Sequence, residues 1–401
     1  MVALGAGFAL KAQCLAGFDG RQHSRLCYND IQPLYEAREV ETHFPYVDGE
    51  LRAGAGGAEL ADGAIEYPVL TGLFMWIAGL FAESSNGYLV VSAVLLAPFA
   101  VWTARTLARM GGRRALLWAA APALVLYAFH NWDLLVVAAA VGALWAWRQR
   151  RYETAAVLFG LGGALKLYPL VFLVPLALEL WSARSRGRAL GVVGIGAGTW
   201  IAVNLPFFVM SPPGWWATYA FHSQRGPNFD NMWQLAVPGA TPAALNLWTG
   251  VLIALSFLVA IVAGTRMSDN GSFPGIAVCA AMLAAFMLWN KVHSPQYTLW
   301  LLPFFVLLRV HIGWWVAYAA ADLAVYVGVF RWFYDFVYLD QDLTAAKRLM
   351  IGGIWARAIL LALLFVVFLR ARDADPPGAG DRIEPQPLEP EPRDILVAPS
   401  R

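Results

Sequence analysis

Charge is scarce in this chain: 14% of its 401 residues are Asp, Glu, Lys or Arg, against roughly a quarter in ordinary soluble domains. That shortfall excludes a water-soluble enzyme or binding module. The formal net charge of +2 gives no support to a nucleic-acid partner. Cysteine is nearly absent too, with three residues, too few for a disulfide-built scaffold. No CxxC pair, HExxH, P-loop or GxGxxG after a strand occurs, so zinc chemistry, nucleotide hydrolysis and dinucleotide binding lack their residues. No metal and no cofactor is expected. What is present is apolar: 59% of the residues are hydrophobic, with 18 Trp, 14 Tyr and 23 Phe, a load suited to membrane interfaces and to stacking on sugars. The composition defines an all-α polytopic membrane protein.

Apolar segments run over 1–13, 68–82, 88–104, 115–130, 134–147, 154–165, 169–181, 189–209, 245–264, 273–290, 298–308, 312–331 and 349–369, several shorter than the span of about twenty residues a bilayer requires. Orientation follows from arginine. Three clusters, Arg105/Arg109/Arg113/Arg114, Arg148/Arg150/Arg151 and Arg184/Arg186/Arg188, belong on the cytoplasmic side. Parity then makes 115–147 a hairpin broken at His130-Asn131-Trp132-Asp133, and 154–181 a hairpin turning at Lys166-Leu167-Tyr168-Pro169. For the first arginine cluster to stay inside, Pro68–Ala82 must lie on or dip into the outer leaflet without crossing. About twelve crossings result, with both termini inside and a large first outer loop from about 14 to 67. The expected location is the plasma membrane, with the working surface outside.

Met1–Gln13 is too short for a full span, so either the first helix is short or the start is truncated; a cleaved signal peptide lacks its basic region. Residues 1–370 read as one transmembrane domain. Beyond it, 371–401 reads as a disordered cytoplasmic tail, rich in Pro, Asp, Glu and Arg with little to bury. Cys14 and Cys27 flank a polar stretch after the first apolar segment and are either a disulfide or two free thiols. Cys279 is a small core residue.

The chemistry must come from few polar groups. Asp30, just after the first helix, is a general base if partly desolvated, or a solvated aspartate capping a short helix. Glu66 is a second acid or a cap, and Asp133 at the hairpin tip carries the same two readings. Lys166 interrupts an apolar hairpin, where a charge costs about 2 to 3 kcal/mol unless solvated or paired; it binds a lipid-linked phosphate or snorkels to headgroups. Lys291, His293 and Gln296 form a second polar turn. Trp215, Trp216, Tyr219, His222, Gln224, Arg225, Asn228, Asp230, Asn231 and Trp233 follow Met210 in an aromatic, amide-rich loop suited to a sugar phosphate, or simply to the interface. Asp322 lies within a span and calls for Arg331 or another inward cation.

Asp30 in a first outer loop, Glu66-Tyr67-Pro68 before an interfacial helix, Asn131-Trp132-Asp133 at a tip, Leu165-Lys166-Leu167-Tyr168-Pro169 and His293-Ser294-Pro295-Gln296-Tyr297 together resemble the GT-C glycosyltransferases. The group they resemble is glycosyltransferase family 87, which includes polyprenyl-phosphate-mannose-dependent mannosyltransferases of actinobacteria. The resemblance implies a GT-C-like fold and transfer of a sugar from a polyprenyl phosphate to a lipid-linked or cell-envelope glycan on the outer face. Mannose is the expected sugar and arabinofuranose the alternative. It carries the catalytic base onto Asp30 and an assisting histidine near the donor phosphate onto His293. By position and charge, Lys166, Arg225, Lys291, Gln296, Glu66, Asp133 and Tyr168 are expected to bind substrate. The expected partners are the lipid-linked sugar, its acceptor and the membrane. A transporter or flippase of lipid-linked sugars is the competing reading, with Asp322, Lys166 and Asp133 on its pathway, but no convincing internal repeat supports it.

Overall fold

The structure is a computed structural model that describes residues 1–54, 57–268 and 273–374. Five helical segments are long and apolar enough to cross a membrane: Ser85–Ala119, Arg186–Met210, Pro242–Arg266, Ile312–Tyr338 and Ala345–Arg370. Four of them start at side-chain caps, since Ser84, Thr241, His311 and Thr344 each accept a backbone N–H of the first turn, satisfying donors the helix cannot. Large apolar side chains on Pro242–Arg266, including Leu247, Leu255, Leu258 and Val259, stay exposed, as a lipid-facing surface requires. The other apolar stretches form shorter helices, among them Val2–Ala12, Tyr152–Leu165 and Gly275–Trp289. The expectation of about twelve full crossings therefore divides into five long helices and a set of short ones packed among them.

The two ends of the bundle differ chemically. At one end, Arg114 Nη2 donates to the carbonyls of Phe305 (2.7 Å) and Leu308 (2.6 Å), and Arg148 Nη2 to that of Leu307 (2.9 Å). These carbonyls close the helix Thr298–Leu307 and have no partners within it, so the guanidinium groups cap them. Residues 371–374 return to the same end, where Ala374 N–H donates to Leu307 O at 2.8 Å. The remainder of the expected tail, 375–401, lies outside the described residues. The helices Ser85–Gly111, Asp133–Arg148 and Thr298–Leu307 all finish at this arginine end, and His130, Tyr297 and Trp300, at or near the starts of the last two, line the cavity.

Val69–Gly79 has both ends at the cavity end. Thr71 Oγ1 donates to Leu165 O (2.8 Å) beside Lys166, and Tyr88 at the start of Ser85–Gly111 donates to Met75 O (3.0 Å). Eleven residues span about 16 Å, half a bilayer core, so the segment does not cross. Both hairpins turn where expected: Pro122–Tyr127 and Asp133–Arg148 flank His130, and Tyr152–Leu165 and Tyr168–Val171 flank Lys166.

Three features depart from expectation. The first loop contains an antiparallel β-hairpin, Glu50–Gly54 with Gly57–Ala61. The stretch after Met210 is largely helical, as Pro212–Gln224 and Met232–Ala236, because Pro212 sits at the first helical turn and Ser211 caps it. The apolar segment 312–331 extends further than expected, as the helix Ile312–Tyr338. Cys14 and Cys27 are joined as a disulfide, their Cα atoms 5.7 Å apart, which settles that pair and ties the first loop back to the first helix.

Candidate active site

A cavity of about 1010 Å³ opens at the non-arginine end. Its walls include Asp30, Glu66, Lys166, Tyr168, Arg225 and Lys291, drawn from segments up to 261 positions apart in the chain.

Asp30 precedes the helix Ile31–Ala37 but makes no side-chain cap. Asn29 does that work, accepting Gln32 N–H at 3.0 Å, so the Asp30 carboxylate is left for the cavity. Its backbone N–H donates to His130 O at 2.8 Å, tying the first loop to the hairpin tip. Burial, and then the charge of Glu66, push the Asp30 carboxyl up to about 7, against the pull of Lys166 and Lys11. A carboxylate with that affinity for protons is matched to general-base work near neutrality. Since the base is active when ionised and its pKa is raised, kcat/KM should climb as pH rises through about 7 and fall below it; a profile flat from pH 6 to 8 would contradict this.

Lys166 is paired with Asp133 at 2.6 Å and sits over the rings of Tyr67 (5.2 Å), Tyr297 (5.0 Å) and Trp300 (5.1 Å). It neither snorkels nor stands free. The pair meets the desolvation cost that the isolated charge would carry. Tyr168 stacks on Trp300 at 4.4 Å, so this part of the wall is an aromatic platform of the kind a pyranose packs on.

Glu66 is held by Arg38 through two contacts, 2.7 and 3.3 Å, and so is neither a free acid nor a helix cap. The segment before Pro68 is fixed by the helix Pro212–Gln224: Thr218 donates to Ile65 O (2.7 Å), and His222 Nε2 meets Glu66 O (2.8 Å). The approach is close enough that a Cβ on Gly214 would lie 1.9 Å from Tyr46 O, so only glycine fits there. Tyr219 and His222 reach the cavity, whereas Trp215, Trp216 and Trp233 do not; Trp215 and Trp233 instead donate to Asn204 and to the Trp289 carbonyl.

Two further cations line the cavity, Arg225 and Lys291. Lys291 Nζ donates to the carbonyls of Ser223 (3.2 Å) and Arg225 (2.8 Å), and Arg225 donates to Asn228 Oδ1 (2.7 Å). Neither has a carboxylate among these partners. Burial and the neighbouring guanidinium lower the Lys291 ammonium to about 8, which favours an arriving anion.

His293 and Gln296 are both buried, and neither lines the cavity. His293 Nδ1 meets Met287 O at 2.9 Å, and the ring faces a small void beside Arg357, because the chain turns inward between Lys291 and Ser294. Asp322 pairs with Arg357, at 3.8 Å, and not with Arg331, which donates to Ser24 O. Arg357 also contacts Asp230, and Tyr127 and Thr298 donate to Asp322 at 3.0 and 2.7 Å. His130, Tyr67, Tyr297 and Trp300 are wall residues that sequence inspection did not select. Their signal was adjacency to the polar breaks at Asp133, Glu66 and Gln296.

A helical membrane bundle with a large, mainly apolar cavity whose lining also holds carboxylates and cations is consistent with a membrane glycosyltransferase. The chain belongs to glycosyltransferase family 87, whose sequence model matches residues 65–290. That match takes in Glu66, Asp133, Lys166 and Arg225 but not Asp30 or Lys291. Among characterised proteins it is similar to the catalytic subunit of GPI alpha-1,4-mannosyltransferase I of Danio rerio, 29% identical over 188 residues, 41% of this chain and 45% of that protein. It is also similar to GPI mannosyltransferase 1 of Saccharomyces cerevisiae, 26% identical over 188 residues, 42% and 45% of the two chains. The similarity thus spans about half the length of each relative.

Proposed function

We propose that this membrane glycosyltransferase moves a mannosyl group from a polyprenyl-phosphate donor to a hydroxyl of a lipid-linked or cell-envelope glycan. The observation that carries the reading is that Asp30, Arg225 and Lys291 all line one cavity. The acceptor hydroxyl gives its proton to Asp30, its oxygen forms the new bond to the anomeric carbon, and the bond from that carbon to the phosphate oxygen breaks. Polyprenyl phosphate leaves with the electron pair, its charge met by Arg225 and Lys291. One displacement inverts the anomeric centre. Tyr67, Tyr168 and Trp300 supply a surface for the sugar, and Lys166 supplies hydrogen bonds to its hydroxyls, held by Asp133, which is buried behind it and does not line the cavity. The side chains furnish the base and the phosphate partners, so the reaction as written uses no cofactor and no metal.

The defining experiment incubates the purified protein with radiolabelled polyprenyl-phosphate mannose, or polyprenyl-phosphate arabinose, and a cell-envelope lipid extract. Label should pass to the acceptor from the mannosyl donor; transfer from the arabinosyl donor alone would change the sugar, and transfer from neither would overturn the reading. Arg225→Gln combined with Lys291→Gln should slow turnover by about 10²- to 10³-fold, the worth of groups meeting developing charge, measured as initial rates at saturating acceptor. Arginine clusters favour the cytoplasmic side, so the cavity is assigned to the outer face. Of the native cysteines two are bonded and one is buried, so single cysteines at Arg113 and Gln224 report cleanly. Membrane-impermeant maleimide applied to intact cells should label the second and spare the first.

A further inference from the structure

Behind Asp30 lies a buried cation that the reaction as written leaves unused. Lys11, on the first helix, is wholly enclosed, and its ammonium has three neighbours: Tyr28 O at 2.7 Å, Tyr326 OH at 3.0 Å and His130 Nδ1 at 3.3 Å. An ammonium has three donors and no acceptor, so each neighbour accepts. Tyr326 is consistent with this, because its own proton goes to Leu26 O at 2.7 Å. His130 Nδ1 is therefore an acceptor. Burial and the Lys11 charge together hold the imidazole well below its ordinary pKa, so the neutral ring carries its proton on Nε2. That nitrogen stands 3.9 Å from Asp30 Oδ2, beyond a direct hydrogen bond but at the looseness typical of sites without substrate.

Resting on the reading of Asp30 as the base, we propose that Lys11, Tyr326 and His130 form a fixed chain of hydrogen bonds that presents the Nε2–H of His130 to one oxygen of Asp30. His130 and Lys11 are then positioning residues. They hold the carboxylate so that its other oxygen meets the acceptor hydroxyl, and no proton moves along the chain: the acceptor's proton ends on Asp30. The groups around Asp30 are Tyr28 beside it, Lys11 from Val2–Ala12, Glu66 and Tyr67 from the segment before Val69–Gly79, His130 and Asp133 at the hairpin tip, and Lys166 at the second turn. Two are cations, and both favour the ionised form of Asp30, Lys166 more than Lys11; Lys166 also pairs with Asp133, whereas Lys11 is joined to Asp30 through His130.

The direct test is independent of sugar transfer. Burial lowers the Lys11 ammonium to about 7, so the arrangement holds below that pH: in protein labelled with 15N-histidine, the His130 signals, identified by their loss in His130→Gln, should report an unprotonated Nδ1 and a protonated Nε2 at pH 6. The opposite tautomer, or an imidazolium, overturns the proposal whether or not the protein proves to use a polyprenyl-phosphate sugar. The kinetic test uses Lys11→Met and the milder Tyr326→Phe, which removes one hydroxyl and should fold even where the former fails. Loss of the cation disfavours ionised Asp30, so in Lys11→Met the acid limb of kcat/KM should move to higher pH. Activity at pH 7 should drop on the order of tenfold, the size of a one-unit displacement, with the donor KM unchanged and recovery at higher pH. Tyr326→Phe should move the limb the same way by less. A limb that stays in place in folded variants, or a loss confined to KM or to thermal stability, rejects the positioning role.

Discussion

Asp30→Asn should abolish sugar transfer while leaving the protein folded and able to bind its lipid-linked donor. Asparagine keeps the size of the side chain and removes its basicity, so the loss isolates proton abstraction from shape. A positioned general base is worth about 10²- to 10⁴-fold, and the residual rate should lose its dependence on pH near 7, because that dependence belongs to the Asp30 carboxyl. Folding is spared because the contact that fixes this residue is its backbone N–H to His130 O, and the helix that follows is capped by Asn29. Donor binding is spared because Arg225 and Lys291 are unchanged. Initial rates, with donor binding followed by tryptophan fluorescence, separate the two. Turnover within a factor of a few of the parent would remove Asp30 from the chemistry.

Arg357→Met should be the most destabilising single substitution outside the cavity. Arg357 is 3% exposed and faces two buried carboxylates, Asp230 at 3.5 Å and Asp322 at 3.8 Å. It also donates to the Asp230 carbonyl at 2.5 Å. Removing one partner of a buried ion pair costs about 3 to 5 kcal/mol because the remaining charge is left without compensation, and here two remain. The network joins Ile312–Tyr338, Ala345–Arg370, the loop at Asp230, Tyr127 and Thr298, so its loss loosens the frame that carries Arg225 and Lys291. A detergent-solubilised sample should unfold at a markedly lower temperature. Asp322→Asn in the same background should return part of the loss, since it deletes one stranded charge; an unchanged midpoint in the single variant would show that the network is not holding these helices.

Lys166 announced itself because a lone charge in an apolar hairpin must be paired or solvated, yet the identity of the partner, Asp133, was invisible: 33 residues separate them. Lys11 carries the same signal, a cation in an apolar segment, but the shortness of that segment hid it. His293 shows the opposite error. A histidine between Lys291 and Gln296 reads as part of a polar turn, and the backbone rotates its ring into the bundle, where Met287 O and the surroundings of Arg357 receive it.

Composition and the order of apolar segments were enough to establish a polytopic helical membrane protein, its arginine-rich end, and the breaks at Asp133 and Lys166. These follow from solvation, which acts on each segment whatever its neighbours: lipid demands apolar runs with satisfied backbones, and arginine resists translocation. Tertiary packing alone decided which polar groups meet. Asp30 with His130, Lys166 with Asp133, Arg357 with Asp230 and Asp322, and Arg225 beside Lys291 are distant pairs whose energies depend on separation in space and on local burial, quantities that a linear string of residues does not contain.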